Sequence, residues 1–256
     1  MINRPFKIDF EHPLPHYRDR TEPIKYAIIH CSRGTPEQQL EIMDKNKLSV
    51  HYIIDNKGKV TSVVPEDKVA YHAGLSRWKG SKGISLNGSS IGIEIQSPDM
   101  GQRHKSYSSS STTKLCILLA YLMKKYKIRR ENILGHSDIA PTRKPDPGAG
   151  FPWKKLFKQD VLFWYHKSMR IRSDDEKELL EIIGYDTSVI EAARYAFCRR
   201  YMPEEVEVID DIQYLVDNPY PLDFTPQDRA EYMLRLQSVA CAFEEERKKD
   251  YWIYKD

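Results

Sequence analysis

The chain has 256 residues, of which 40% are hydrophobic and 11% aromatic; this is enough to bury a core in one large domain or two, and it excludes a disordered polymer. No apolar run approaches the length needed to cross a bilayer, and the N-terminal stretch Met1 to Lys7 lacks the apolar core of a signal peptide. The expected location is therefore the cytoplasm, or the periplasm and cell envelope if an export signal once preceded the chain.

The net charge of +3 conceals an asymmetry, since residues 1–170 carry 29 Lys and Arg against 16 Asp and Glu, and residues 171–256 carry 11 against 21. Such a reversal predicts two domains, 1–170 and 171–256. The basic part suits an anionic ligand, whether nucleic acid, an anionic membrane or a carboxylate-rich polymer, or else the two parts attract each other. Cys31, Cys116, Cys198 and Cys241 form no C-x-x-C pair and read as reduced, mostly buried thiols.

Residues 1–23 read as an irregular arm. Lys25 to His30 has the apolar density of a buried strand and ends on a histidine, at the kind of sheet edge where ligands bind. Thr35-Pro36-Glu37-Gln38 is a capping box opening a helix that should reach Asn46. Val50–Asp55 and Lys59–Val64, either side of Asn56-Lys57-Gly58, predict a hairpin. After Tyr71-His72-Ala73-Gly74 comes a polar loop. Ser90 to Gln96 then alternates, with Ile91, Ile93 and Ile95 on one face and Gly92, Glu94 and Gln96 on the other.

Ser106 to Ser111 reads as a flexible loop, Lys114 to Tyr126 as a helix with a leucine stripe, Asn132 to His136 as a short strand, and Trp153 to Met169 as an amphipathic helix. Together these predict an α/β domain with a mixed central sheet flanked by helices. Beyond Ser173 the pattern is helical, a small all-α domain with capping boxes at Ser173–Glu176 and Ser188–Glu191, a stop at Gly184, an acidic connector from Pro203 to Phe224, and a last helix starting at Thr225.

The stretch from Ile133 to Trp153 holds His136, Lys144 and Asp146 among prolines that stiffen the backbone. Pro145 and Pro147 restrain Lys144 and Asp146 to extended conformations, which points their side chains to one side. One reading is a solvated loop. The other joins it to His30: His30, His136 and Asp146 would supply the three protein ligands of a catalytic zinc, with water in the fourth position. Glu94 would then serve as general base and Lys144 would stabilise an oxyanion.

Tyr26–His30, Ser49–Asp55, Ala70–Gly74, Ser90–Glu94 and Gly135–Gly148 resemble the successive motifs of the zinc N-acetylmuramoyl-L-alanine amidases of type 2. That family includes the AmpD and AmiD enzymes and is related to the peptidoglycan recognition proteins. The resemblance covers residues 24 to 165. It implies zinc ligands at His30, His136 and Asp146, catalytic roles at Glu94 and Lys144, and hydrolysis of the amide between N-acetylmuramic acid and L-alanine in peptidoglycan or its muropeptide fragments. Phage and recognition-protein relatives place a catalytic tyrosine where this chain has Val50, so the base role falls to Glu94 alone. The tail, through Ile182–Asp186 and Ala192–Phe197, resembles the three-helix peptidoglycan-binding domain of AmiD-type members.

His72, Arg77 and Trp78 are the candidate substrate contacts, and His51 is a weaker candidate set against a structural histidine. Cys31 should face away from His30. No nucleic-acid motif accompanies the basic part, so nucleic acid is not an expected partner. A recognition module that keeps the cleft without the chemistry is disfavoured by the retention of all five site residues.

Overall fold

In the computed structural model, the residues described are 14–79, 81 and 84–249, so His12 and the first part of the expected arm lie outside them. In chain order the elements are β1 (Tyr17–Asp19), β2 (Tyr26–Ser32), α1 (Pro36–Lys45), β3 (Tyr52–Ile54), β4 (Val60–Ser62), β5 (Lys68–Ala70), β6 (Ser90–Gln96), α2 (Ser109–Tyr126), β7 (Ile133–Gly135), α3 (His136–Ile139), α4 (Trp153–Lys158), α5 (Glu176–Ile183), α6 (Ile190–Tyr201), α7 (Ile212–Asp217) and α8 (Arg229–Lys248). The fold is α/β, a mixed five-stranded sheet in the order β4-β3-β6-β2-β7 with helices about it, followed by a helical C-terminal part.

β3, β6, β2 and β7 run parallel and only β4 is antiparallel, so four strands deliver their C-terminal ends to one edge. Strand alternation sorts the side chains. Ala27, Ile29 and Cys31 of β2 and Ile91, Ile93 and Ile95 of β6 face a core closed by Leu115, Leu118, Leu119 and Leu122 of α2. Tyr26 and Ile28 face the other way and share a core with Leu134 and with Leu179, Ile183, Phe197, Leu236 and Phe243 of the tail. The change of composition near residue 171 is thus not a break in packing. The tail covers the sheet face opposite α2.

Local signals set most boundaries. Thr35 and Gln38 form the expected capping box of α1, Gly184 ends α5 with φ 140°, and the hairpin pairs Tyr52–Ile54 with Val60–Ser62. Other expectations are corrected. The arm contains β1, which pairs antiparallel with β5. The serine run is a helix start: Ser108 accepts from the Ser111 amide and residues 109–111 form the first turn of α2.

The helix expected from Trp153 to Met169 stops at Lys158. Asp160 takes a left-handed φ of 59°, and Val161 and Leu162 turn into the core under α2, so one apolar stripe in sequence serves two surfaces in space. α6 begins at Ile190 without a side-chain cap, and α8 is capped by Asp228, whose carboxylate accepts from the Glu231 amide; Thr225 lies short of it. Cys31, Cys116 and Cys198 are buried thiols, and all four cysteines are free.

Candidate metal centre

β2 and β6 pair in register with His30 opposite Glu94, and Ile29 of β2 pairs with Gly135 of β7, so the next residue, His136, arrives beside His30. This is the edge where parallel strands end, the place α/β sheets offer to ligands. Asp146 returns to the same point because its carbonyl accepts from the Ser137 amide at 2.7 Å, pinning the proline-rich loop to α3. Pro147, joined to Asp146 by a cis peptide, is held by Tyr107, whose hydroxyl donates to the Pro147 carbonyl at 2.5 Å. Gly148, at φ +83°, admits no side chain here, since a Cβ would lie 2.4 Å from the Met100 carbonyl oxygen.

His30, His136 and Asp146 are all buried and converge. The two Nδ1 atoms are 3.0 Å apart and each lies 3.2 Å from Asp146 Oδ2. The outer nitrogens are already engaged: His136 Nε2 lies 3.2 Å from the Ala73 carbonyl, and His30 Nε2 lies 2.9 Å from His72 Nδ1. A carbonyl only accepts, so neutral His136 carries its proton on Nε2 and presents a lone pair from Nδ1.

Burial, and secondarily the neighbouring His136, pull His30 down to about 4, so its ring is neutral at pH 7. Asp146, although burial works against its charge, is held well below the usual carboxylate range by His136 and His30. Two nitrogen lone pairs and one carboxylate crowded into a buried site repel each other unless a cation sits among them. This donor set and its His-bonded outer shell fit zinc.

Glu94 is 6% exposed and its Oε1 is without a hydrogen-bond partner among the described residues. Burial first, and the Asp146 charge second, push it up to about 8. A carboxyl poised near neutrality beside a ligand cluster has the makings of a proton carrier. Half-buried Lys144 is near enough for its charge to counter the rise at Glu94 and to disfavour protonation of His30. The five residues singled out in the sequence are thereby gathered at one sheet edge.

The proposed substrate contacts divide. His72 sits behind His30, in hydrogen-bond contact with it. Arg77 is exposed and, with Ile139, Ala140, Arg143 and Asp186, lines a cavity of about 450 Å³ beside α3. Trp78 is 4% exposed, its ring packed on Tyr185 and Phe243 of the tail, so it offers no open face to a sugar. His51 is fully buried and satisfied by backbone: Nδ1 accepts from the Gly92 amide and Nε2 lies 3.1 Å from the Lys68 carbonyl, the structural role set against it in the sequence.

One contributor went unseen. Asp138, two residues past His136, accepts from the Gly135 amide, the Tyr185 hydroxyl and Arg200 Nη1 at 2.8, 2.9 and 2.5 Å. The tail thus braces the single-turn helix that carries a ligand. Arg200 lies 62 residues away, and no local pattern announces it.

The family model described as N-acetylmuramoyl-L-alanine amidase matches residues 20–149, just over half of the chain. Among curated proteins, AmiD of Escherichia coli strain K12 is 33% identical over 153 residues, covering 55% of this chain and 55% of AmiD. The 1,6-anhydro-N-acetylmuramyl-L-alanine amidase AmpD of Enterobacter cloacae is 36% identical over 129 residues, 50% of this chain and 61% of its own length. The matches therefore span less than two thirds of these relatives.

Among solved structures, the complex of Escherichia coli AmiD with anhydro-N-acetylmuramic acid-L-Ala-D-gamma-Glu-L-Lys aligns with a TM-score of 0.67 at 24% identity, over 94% of this chain and 93% of that one. AmpDh3 of Pseudomonas aeruginosa aligns with a TM-score of 0.65 at 24% identity, over 94% and 98%. At such identities the likeness is one of fold, and it extends through the helical tail.

Proposed function

The chain belongs to the N-acetylmuramoyl-L-alanine amidase family, and from that premise we propose that it hydrolyses the amide bond joining N-acetylmuramic acid to L-alanine, in peptidoglycan or its muropeptide fragments, as a step of cell-wall turnover or recycling. The observation that carries this reading is the placement of Glu94 one strand away from His30, His136 and Asp146 at the edge where β2, β6 and β7 end.

His30 Nδ1, His136 Nδ1 and Asp146 would hold zinc. Bound there, zinc supplies Lewis acidity, which makes water a better nucleophile near pH 7 and polarises a carbonyl. Glu94, in its ionised form, takes the proton of the attacking water and returns it to the nitrogen of L-alanine as the carbon–nitrogen bond breaks. The Lys144 ammonium stabilises the negative charge that develops on the carbonyl oxygen. Arg77 and Arg143, on the rim of the cavity beside α3, suit the carboxylates of a stem peptide. The division into a catalytic unit over residues 1–170 and a helical unit over residues 171–256 belongs to this proposal.

The test is mass spectrometry of a defined muropeptide after incubation with zinc-loaded protein. Free stem peptide beginning with L-alanine, and its loss when a chelator removes the metal, are the expected results. Cleavage at any other bond, or turnover undiminished in metal-free protein, would overturn the reading.

A further inference from the structure

His72 and Ser90 are not ligands, yet the hydrogen bonds around them run in one direction. The Leu86 carbonyl can only accept, and it lies 2.7 Å from Ser90 Oγ, so the one hydroxyl proton of Ser90 points there. Ser90 Oγ is also 3.2 Å from His72 Nε2 and must accept from it, which places the His72 proton on Nε2. Neutral His72 then has a lone pair on Nδ1. That atom is 2.9 Å from His30 Nε2, which therefore carries the proton of the His30 ring. What remains on His30 is an Nδ1 lone pair aimed at His136 and Asp146.

The segment bearing His72 is itself fixed. Asn87 Oδ1 accepts from the backbone amides of His72 and Ala73 at 3.1 and 2.7 Å, and the Ala73 carbonyl is the partner of His136 Nε2. One two-residue segment thus addresses both histidines. Gly92 makes room for it: a Cβ there would come within 2.5 Å of the His72 ring.

We propose that Leu86, Ser90 and His72 form a directional hydrogen-bond relay that fixes the tautomer and orientation of His30, making His72 and Ser90 positioning residues for the metal centre. The proposal rests on the metal-binding reading above.

The test pairs two substitutions at His72 with opposite virtues. His72→Asn keeps an acceptor near the Nδ1 position and loses ring volume; His72→Phe keeps the volume and loses the acceptor. Zinc affinity of the metal-free proteins is measured by competition with a chromophoric chelator. Partners outside the ligand shell typically change metal affinity by about 10- to 100-fold, so the Phe variant should weaken zinc by that factor and the Asn variant should lie closer to the parent.

A role in packing alone reverses that order and overturns the relay. Long-range proton–nitrogen NMR of the metal-free parent gives a second reading that needs no variant to fold: His30 and His72 should both be protonated on Nε2, and a proton on Nδ1 of either would sink the idea. A parent protein that takes up no zinc would instead overturn the metal reading, and this proposal with it.

Discussion

Glu94, near the end of β6, and Glu176, at the start of α5, are exposed by only 6% and 9%, yet their surroundings treat them in opposite ways. Around Glu176 the tail supplies Arg194, Arg229 and the Tyr232 hydroxyl, all at 2.6 to 3.0 Å; although burial opposes its charge, these bonds hold it down to about 2. Around Glu94 there is no cation in bonding contact among the described residues, one oxygen has no partner, and burial with Asp146 pushes it up to about 8. The tail closes Glu176 on its own arginines and lends Arg200 to Asp138 of α3, so both carboxylates meet a protein cation. The sheet edge leaves Glu94, His30, His136 and Asp146 in need of something from outside. A polar cluster that stabilises is satisfied internally, whereas one that acts on a ligand is completed by it.

The sharpest way to break this contrast is to neutralise the glutamate at the sheet edge. Glu94→Gln preserves shape and removes basicity, and loss of a general base is worth about 100- to 10,000-fold in rate. The variant is expected to stay zinc-loaded and to melt no lower than the parent, because the fold already favours the uncharged form. Turnover near the parent rate would remove Glu94 from the mechanism, and a lower melting temperature would mean its carboxylate is structurally satisfied after all.

The next effect is on stability. Arg200→Met deletes the cation opposite Asp138, where the guanidinium also stacks 4.0 Å above the Trp153 ring. Leaving a buried charge unpaired costs about 3–5 kcal/mol, read by denaturant unfolding. Asp138→Asn added to it should recover part of that loss. If Arg200→Met alone unfolds at the parental denaturant concentration, the tail is not bracing the ligand-bearing turn.

What could be read in advance follows the range of the forces involved. Alternation in Ser90–Gln96 revealed which face Glu94 would use, because strand periodicity is local. The histidines at the ends of two strands and the proline-framed Asp146 were visible as residue types at element ends. What joined them into one centre is the parallel register of β2 with β6 and β7, which no single segment encodes; the family resemblance supplied that link. Asp138 was in view with no role, since its meaning depends on Tyr185 and Arg200, 47 and 62 residues away. Trp78 looked like a loop aromatic open to a ligand because the surface covering it comes from the distant tail, Tyr185 just after α5 and Phe243 of α8. The break after Lys158 was hidden for a related reason, an apolar stripe continuing although the chain had changed the surface it packs on.

The smallest effect sharpens the comparison most finely, because it reads both glutamates by the same measurement. Stability changes with pH wherever folded and unfolded states bind different numbers of protons. Glu176 starts near 4.5 unfolded and falls to about 2 folded, so its contribution is whole above pH 4.5 and disappears as pH drops toward 2. Glu94 moves the other way, from 4.5 to about 8, so its contribution is whole below pH 4.5 and is lost as pH climbs toward 8. His30 and His51, lowered to about 4 and 3, lose theirs as pH falls below 6.5 and would blur a bare pH profile. Differences from variants remove that background. In metal-free protein, the stability of the parent minus that of Glu94→Gln should fall between pH 5 and 8, by no more than about 1.4 kcal/mol per pH unit at its steepest, the limit for a single proton. The parent minus Glu176→Gln should instead fall on acidification below pH 4.5. Zinc should flatten the first profile, since a cation beside Glu94 favours its charged form, and leave the second unchanged. Two profiles of the same sign would show that both carboxylates answer to burial in the same way, and the distinction between a completed and an uncompleted cluster would be lost.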